Sequence, residues 1–235
     1  TQGAGNSITV GTGGWSQADG TFTGGDATIK VTGNFSLTGG NFTSTSGTLA
    51  FYDGGNQTIN MSSSAVFNHN NGRVYTFLDH GVDQDLTANA GDFYNWELRI
   101  WGSGTPFMVL SSDVTVRNDF TITAGKYSGA YFNGSRDIYV HGDVVSKQVD
   151  TGTFCSVHKP EPRIRLVGTG DQELRNESGS NRIPGFRVEK PSGNVTITGT
   201  IRFTDAWVWV SGDGTSGTGT LRWHCYWKSA RERPC

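Results

Sequence analysis

The chain has 235 residues, with 34 Gly, 6 Pro, 11% aromatic and 17% charged residues, and a formal net charge of −2. Glycine at twice the usual share of about 7% without a Gly-X-Y period excludes collagen, and the aromatic content excludes a disordered chain. The near-neutral balance leaves no electrostatic footprint for nucleic acid, and no stretch approaches the roughly 18 apolar residues of a membrane-spanning helix.

Helical periodicity is almost absent. In chain order, short alternating runs occur at Ile8–Val10, Ala27–Val31, Phe35–Leu37, Thr48–Phe51, Val114–Val116, Phe120–Ile122, Ile138–Val140, Ile164–Val167, Val195–Ile197 and Trp207–Val210. Each is bounded by Gly, Asn, Asp or Ser, which predicts strands with one buried face. Thr recurs at the outward positions because β-branching suits a pleated surface. Corners recur as well, as Asp19-Gly20, Gly24-Gly25, Gly39-Gly40 and Asp53-Gly54-Gly55, where Gly supplies the backbone freedom of tight turns. Strands this short need many neighbours to bury a core, and a stack of coils supplies them.

Self-similarity points the same way. Residues 31–51 (VTGNFSLTGGNFTSTSGTLAF) resemble 116–140, residues 47–67 (GTLAFYDGGNQTINMSSSAVF) resemble 163–186, and residues 93–122 resemble 185–203. Recurrence of this kind predicts an all-β fold, a β-solenoid of short irregular coils with little or no helix. The repeat domain is expected over 1–210. A Gly/Ser/Thr-rich link and a capping or docking strand are expected over 211–235.

The segments LVGTGDQEL, FYNWELRI and SSDVTVRNDFTITAGKY resemble the β-helical repeats of large bacterial secreted and cell-surface proteins. That resemblance covers most of residues 20–210. It implies a β-solenoid, export to the cell surface or beyond, and a role in adhesion, matrix or filament formation. The function expected is an extracellular structural subunit that joins copies of itself end to end. Its rivals are an adhesin module that binds cell-surface glycans and a polysaccharide lyase or hydrolase built on a β-helix.

Candidate sites follow. Trp15, Leu221, Trp223 and Trp227 are expected at the joints between copies, because solenoid ends expose unpaired backbone groups. Trp101, Trp207, Trp209, Tyr52, Tyr127 and the Tyr94/Trp96 pair offer rings for packing, sugars or a partner. Cys155, Cys225 and Cys235 are an odd set, so one thiol is left over or pairs between chains. Sequons at Asn34, Asn41, Asn56, Asn60, Asn133, Asn176 and Asn194 are compatible with glycosylation of a secreted chain. The chain opens on Thr1 rather than Met, which fits a processed, secreted product. Asp79, Asp83 and Asp85 surround Gly81 as hard oxygen donors, but they lack the distal Glu of an EF-hand. A solvated turn is therefore expected there in preference to Ca²⁺, and no cofactor is expected. For glycoside cleavage two carboxylates must flank a groove. Asp113, Asp119, Asp137 and Asp143, with Lys126 or Arg136, are the candidates, but Asp at such positions usually shapes turns, so no enzymatic activity is expected.

Overall fold

The computed structural model describes residues 1–52, 55–79, 81–101, 107–124, 131–133, 136–148, 164–177, 182–183, 186–203, 208–211, 215–216 and 220–222. Among the described residues the chain is all-β, and every strand pairing is parallel. It winds into a β-solenoid with three faces. The first face stacks ten strands: Ile8–Val10, Ile29–Val31, Thr48–Tyr52, Arg73–Asp79, Asn95–Trp101, Phe120–Ala124, Val144–Gln148, Gln172–Asn176, Val195–Thr198 and Thr215–Ser216. The second runs from Trp15–Gln17 through Phe35–Leu37, Gln57–Met61, Gln84–Ala88 and Phe107–Leu110 to Tyr131–Asn133. A three-stranded sheet ending at Thr220–Arg222 follows it in the chain. The third begins with Thr21–Thr23, Asn41–Thr43 and Val66–Asn68. It continues with Val114–Val116, Ile138–Val140, Ile164–Leu166, Phe186–Glu189 and Val208–Ser211. A single bridge from Phe93 to Val116 joins its two parts. Roughly 20–30 residues separate equivalent positions on successive coils, the span of a solenoid repeat.

Stacking in register puts like on like. On the first face Ile29, Leu49, Val74, Trp96, Phe120 and Val144 form one buried column. On the second, Phe35, Ile59, Leu86 and Leu110 form another. Burying a large side chain contributes about 1.5–3 kcal/mol, so a column of this kind supplies the stability that short strands lack. The columns merge into one continuous core from Ile29 to Ile201.

Three devices hold the corners. First, Asn and Asp side chains accept a backbone N–H from the following coil. Asn56 caps Asp83, Asp83 caps Phe107, Asn95 caps Asp119, Asp119 caps Asp143, and Asp143 caps Glu173, all at 2.7–3.1 Å. Second, a buried donor reaches back to a pair of carbonyls on the preceding coil. Thr45 bonds Gly25 and Ala27, Gln57 bonds Val31 and Gly33, Gln172 bonds Val140 and Gly142, and Lys190 bonds Gly168 and Gly170. Such pairing matters because an unmade bond at a buried carbonyl costs about 1–3 kcal/mol. Third, Gly lets backbones touch: a Cβ on Gly72 would run into the carbonyl oxygen of Thr45.

The repeats expected from the sequence recur, but two of the three pairings are shifted by one face. Phe35 lies on the second face and Phe120 on the first, although 31–51 and 116–140 align them. Likewise 47–67 starts on the first face and 163–186 on the third. The corners use the same Gly, Asx and Gln chemistry, so a corner motif does not reveal which corner it makes. Residues 93 and 186 are in phase, both on the third face.

The two parts of the third face differ. In the first, Phe22, Phe42 and Phe67 stack inward with centroids 4.9 and 6.0 Å apart. Outward stand Thr21, Thr23, Asn41, Thr43, Val66 and Asn68, none of them charged. In the second, the inner columns are Val114-Ile138-Ile164-Phe186 and Val116-Val140-Leu166-Val188. Outward, Tyr139, Arg165 and Arg187 follow one another in register. Asp137 and Glu189 neutralise the adjacent arginines: Glu189 lies 2.8 Å from Arg165 and 3.3 Å from Arg187, and Asp137 lies 2.5 Å from Arg165.

Candidate functional site

Two surfaces stand out. One is the open end of the first coil. Ile8–Val10, Trp15–Gln17 and Thr21–Thr23 are each the terminal strand of their sheet. Ile8, Val10, Trp15 and Phe22 are only partly buried against the core, whereas their partners one coil further in are fully buried or nearly so. Trp15 points inward and packs on Phe22, Phe35 and Phe42 at 4.8, 6.4 and 5.4 Å. Its indole N–H and the side-chain oxygen of Gln17 have no hydrogen-bond partner among the described residues. The amide of Ile8 donates to Thr28 and the carbonyl of Val10 accepts from Thr32. In a parallel ladder alternate residues bond to opposite sides, so the Thr9 backbone groups point out of the open end. Trp15 and Gln17 bond inward in the same way, to Asn34 and Thr38, which leaves Ser16 pointing outward. Gln2 closes the rim. Its amide donates to Thr23, and its side chain bonds Asn6, Ala27 and Gly25.

The other surface is an aromatic column on the solvent side of the first face. Tyr52, Phe77 and Arg99 are in register on successive coils, and Thr123 and Lys147 follow. The Tyr52 and Phe77 rings stack at 4.5 Å and 11°, close to the spacing of neighbouring strands, ~4.7–4.9 Å. Lys30 Nζ lies 4.5 Å from the outer Tyr52 face, and Arg99 lies 5.9 Å from Phe77 and 5.2 Å from Trp101. Tyr75 stands beside Phe77 at 6.3 Å. Phe77 is consequently only 6% exposed on an outward position, while Tyr52 is 40% exposed. Burial pushes the Tyr75 hydroxyl up, and Arg99, which is hydrogen-bonded to it, pulls it back.

The other candidates fall as follows. Asp83 caps Phe107 and Asp85 accepts from Ser111 at 2.6 Å, while Asp79 ends its strand on the column side. The three do not converge, and among the described residues no group of three His, Cys, Asp or Glu side chains does so. Asp119 and Asp143 serve the corner ladder, Asp113 caps the amide of Asp137, and Asp137 pairs with Arg165. Asn34 and Asn56 use their side-chain oxygens as caps. Asn41 is exposed and Asn60 half-buried, and Asn194 is exposed beside the Asp171 cap. Asn176 is buried, with its nitrogen 2.5 Å from the Thr200 carbonyl, so a glycan there has no room without opening the coil. Asn133 and Leu221 lie on described strands through their backbone alone. Cys155, Cys225, Cys235, Trp223, Trp227 and Lys126 lie outside the described residues.

The Asx-Gln pairs at 56–57 and 171–172 mark the repeat in the sequence, but what they do at a corner emerges only in the structure. Asn56-Gln57, Asp83-Gln84 and Asp171-Gln172 each pair an amide cap with a buried glutamine. The recurrence was visible in the sequence, but at 83–84 it was hidden among neighbouring acids. Lys190 is a further case: it is 3% exposed, with Nζ 2.7–2.8 Å from three oxygens, and burial lowers its pKa.

No helix among the described residues is long and apolar enough to cross a membrane. Compared with known proteins, the chain matches no family model, no curated protein and no solved structure.

Proposed function

We propose that this chain is a non-catalytic, extracellular structural subunit whose solenoid joins other copies head to tail. The observation that carries the reading is the open first coil. Three parallel strand edges and four half-buried apolar side chains sit together at one end, where Gln2 closes one corner and no further strand pairs with them among the described residues. Exposed edges are templates for pairing. A parallel stack presents different edges at its two ends, so head-to-tail contact between unlike surfaces gives an open filament and not a closed dimer. The corner carboxylates favour the same reading, because they serve as amide acceptors between coils.

Proline at Thr9 and Ser16 tests it. These residues direct their N–H groups out of the open end, so proline removes edge donors without breaking the ladder to the second coil. The wild-type chain is expected to form high-mass species in light scattering that grow with concentration. Thr9→Pro/Ser16→Pro is expected to stay monomeric with an unchanged far-UV circular dichroism spectrum. Equal assembly of the two proteins would overturn the proposal.

A further inference from the structure

We infer that the outward column of the first face, from Lys30 across Tyr52 and Phe77 to Arg99, is a binding track for an acidic polysaccharide running along the solenoid axis. The charge arrangement carries this. Cations on a protein surface are usually neutralised by nearby carboxylates, as Arg73 is by Glu97 at 2.6 Å and Arg165 by Asp137 and Glu189. Lys30 and Arg99 are held differently. Among the described residues neither has an ion-pair partner, and each is fixed against an aromatic face. A π contact orients a cation and leaves its full charge in place. The stack Lys30–Tyr52–Phe77–Arg99 is therefore two rigidly placed positive charges separated by two rings.

Spacing selects the ligand. Lys30 and Arg99 stand three coils apart, roughly 14 Å at the usual strand separation, whereas Lys147, two coils further on, is already paired with Glu177 at 4.0 Å and lies outside the track. Such sparse charges suit a polymer with one carboxylate every one or two sugars. They suit a nucleic acid poorly, since duplex DNA carries a charge every ~1.7 Å. The rest of the surface fits sugar hydroxyls. The phenol of Tyr52, the Trp101 ring and the outward, half-buried Thr121 border the track. Glu97 is already engaged by Arg73 and Thr123. Asp79, opposite Trp101 in register, sets the acidic margin on one side. The track lies on the side of the solenoid, away from the open end, so ligand binding and end-to-end assembly are separable.

Affinity electrophoresis in gels containing hyaluronan, with neutral dextran and single-stranded DNA as comparison polymers, tests the inference. The wild-type chain is expected to be retarded by hyaluronan, less by DNA at equal ionic strength, and not at all by dextran. Lys30→Gln/Arg99→Gln is expected to weaken hyaluronan binding at least tenfold, and Lys30→Gln alone severalfold. Arg165→Gln on the third face is expected to bind like wild type, as is the assembly-blocked Thr9→Pro/Ser16→Pro chain. The single Lys30→Gln change removes no buried group, so its result stands even if the double variant folds poorly. Absence of retardation by hyaluronan, retardation unaffected by the Lys30 and Arg99 changes, or stronger retardation by DNA would each overturn the inference.

Discussion

The two parts of the third face solve one problem in opposite ways. Both stack short parallel strands in register, which forces each side chain to meet its counterpart one coil away. The first part answers with rings inside and uncharged Thr, Asn and Val outside, so stacked neighbours attract or are indifferent. The second part places Arg165 directly beside Arg187, an unfavourable neighbour until Asp137 and Glu189 bind them. Its inner columns are mainly aliphatic, with Phe186 at one end. Register thus dictates that a column needs one chemistry throughout or a bridging counter-charge. It follows that the first part depends on packing and the second on packing plus electrostatics.

Trp96 joins the two regimes, and breaking it has the largest expected effect. Its ring lies 6.0 Å from Phe93 and 4.7 Å from Phe120, and its indole N–H donates to Thr76 at 3.0 Å. Trp96→Ala is expected to cost about 3–5 kcal/mol in chemical denaturation. Trp96→Phe, which keeps a ring and loses the hydrogen bond, is expected to cost much less. Equal losses for the two would show that the ring stack contributes little.

A smaller effect sharpens the contrast outside the core. Arg165→Met is expected to lose about 1 kcal/mol at low ionic strength, and less as salt screens the pairs. Thr23→Val on the uncharged part is expected to show no such salt dependence. Denaturation midpoints at two salt concentrations compare them directly, and matching salt responses would erase the distinction drawn between the two parts.

The smallest expected effect is a pH response at the corner beside the aromatic part. Burial lowers the His69 pKa below its ordinary 6.5, Asp92 opposes this, and Arg117 adds to it. His69 Nδ1 accepts the amide of Asn71 at 2.9 Å, in a turn where Asn70 and Asn71 have positive φ. Only the neutral ring can accept there. A group with a lowered folded pKa contributes stability that is present above pH 6.5 and is lost as pH falls through the folded value. Stability is therefore expected to drop modestly on acidification below 6.5, and His69→Gln is expected to flatten that slope. His141, whose pKa burial also lowers, would keep the remainder.

Much of the fold was legible. Strands such as Phe35–Leu37, Val114–Val116 and Ile138–Val140 alternate cleanly, and the solenoid followed from their recurrence. Strand Gln84–Ala88 was not legible, because it starts on a buried glutamine that reads as surface amid an acidic turn. Arg73–Asp79 was obscured for another reason: it carries apolar residues on both sides, Val74 and Leu78 inward, Tyr75 and Phe77 outward. The track on the first face was out of reach of the sequence. Tyr52, Phe77 and Arg99 are unequally spaced in the chain, and only the register across three coils brings them together. Trp15 was expected at a joint between copies. It sits at the open end, but with its ring turned into the core, so the backbone edges of Thr9 and Ser16 are the more accessible part of that surface.

Electron microscopy of the purified chain, combined with fibre diffraction, tests the structural role most directly. Head-to-tail pairing predicts unbranched filaments one solenoid wide with a meridional reflection at the strand spacing, ~4.7–4.8 Å. A monodisperse population of single solenoids at every protein concentration would contradict it.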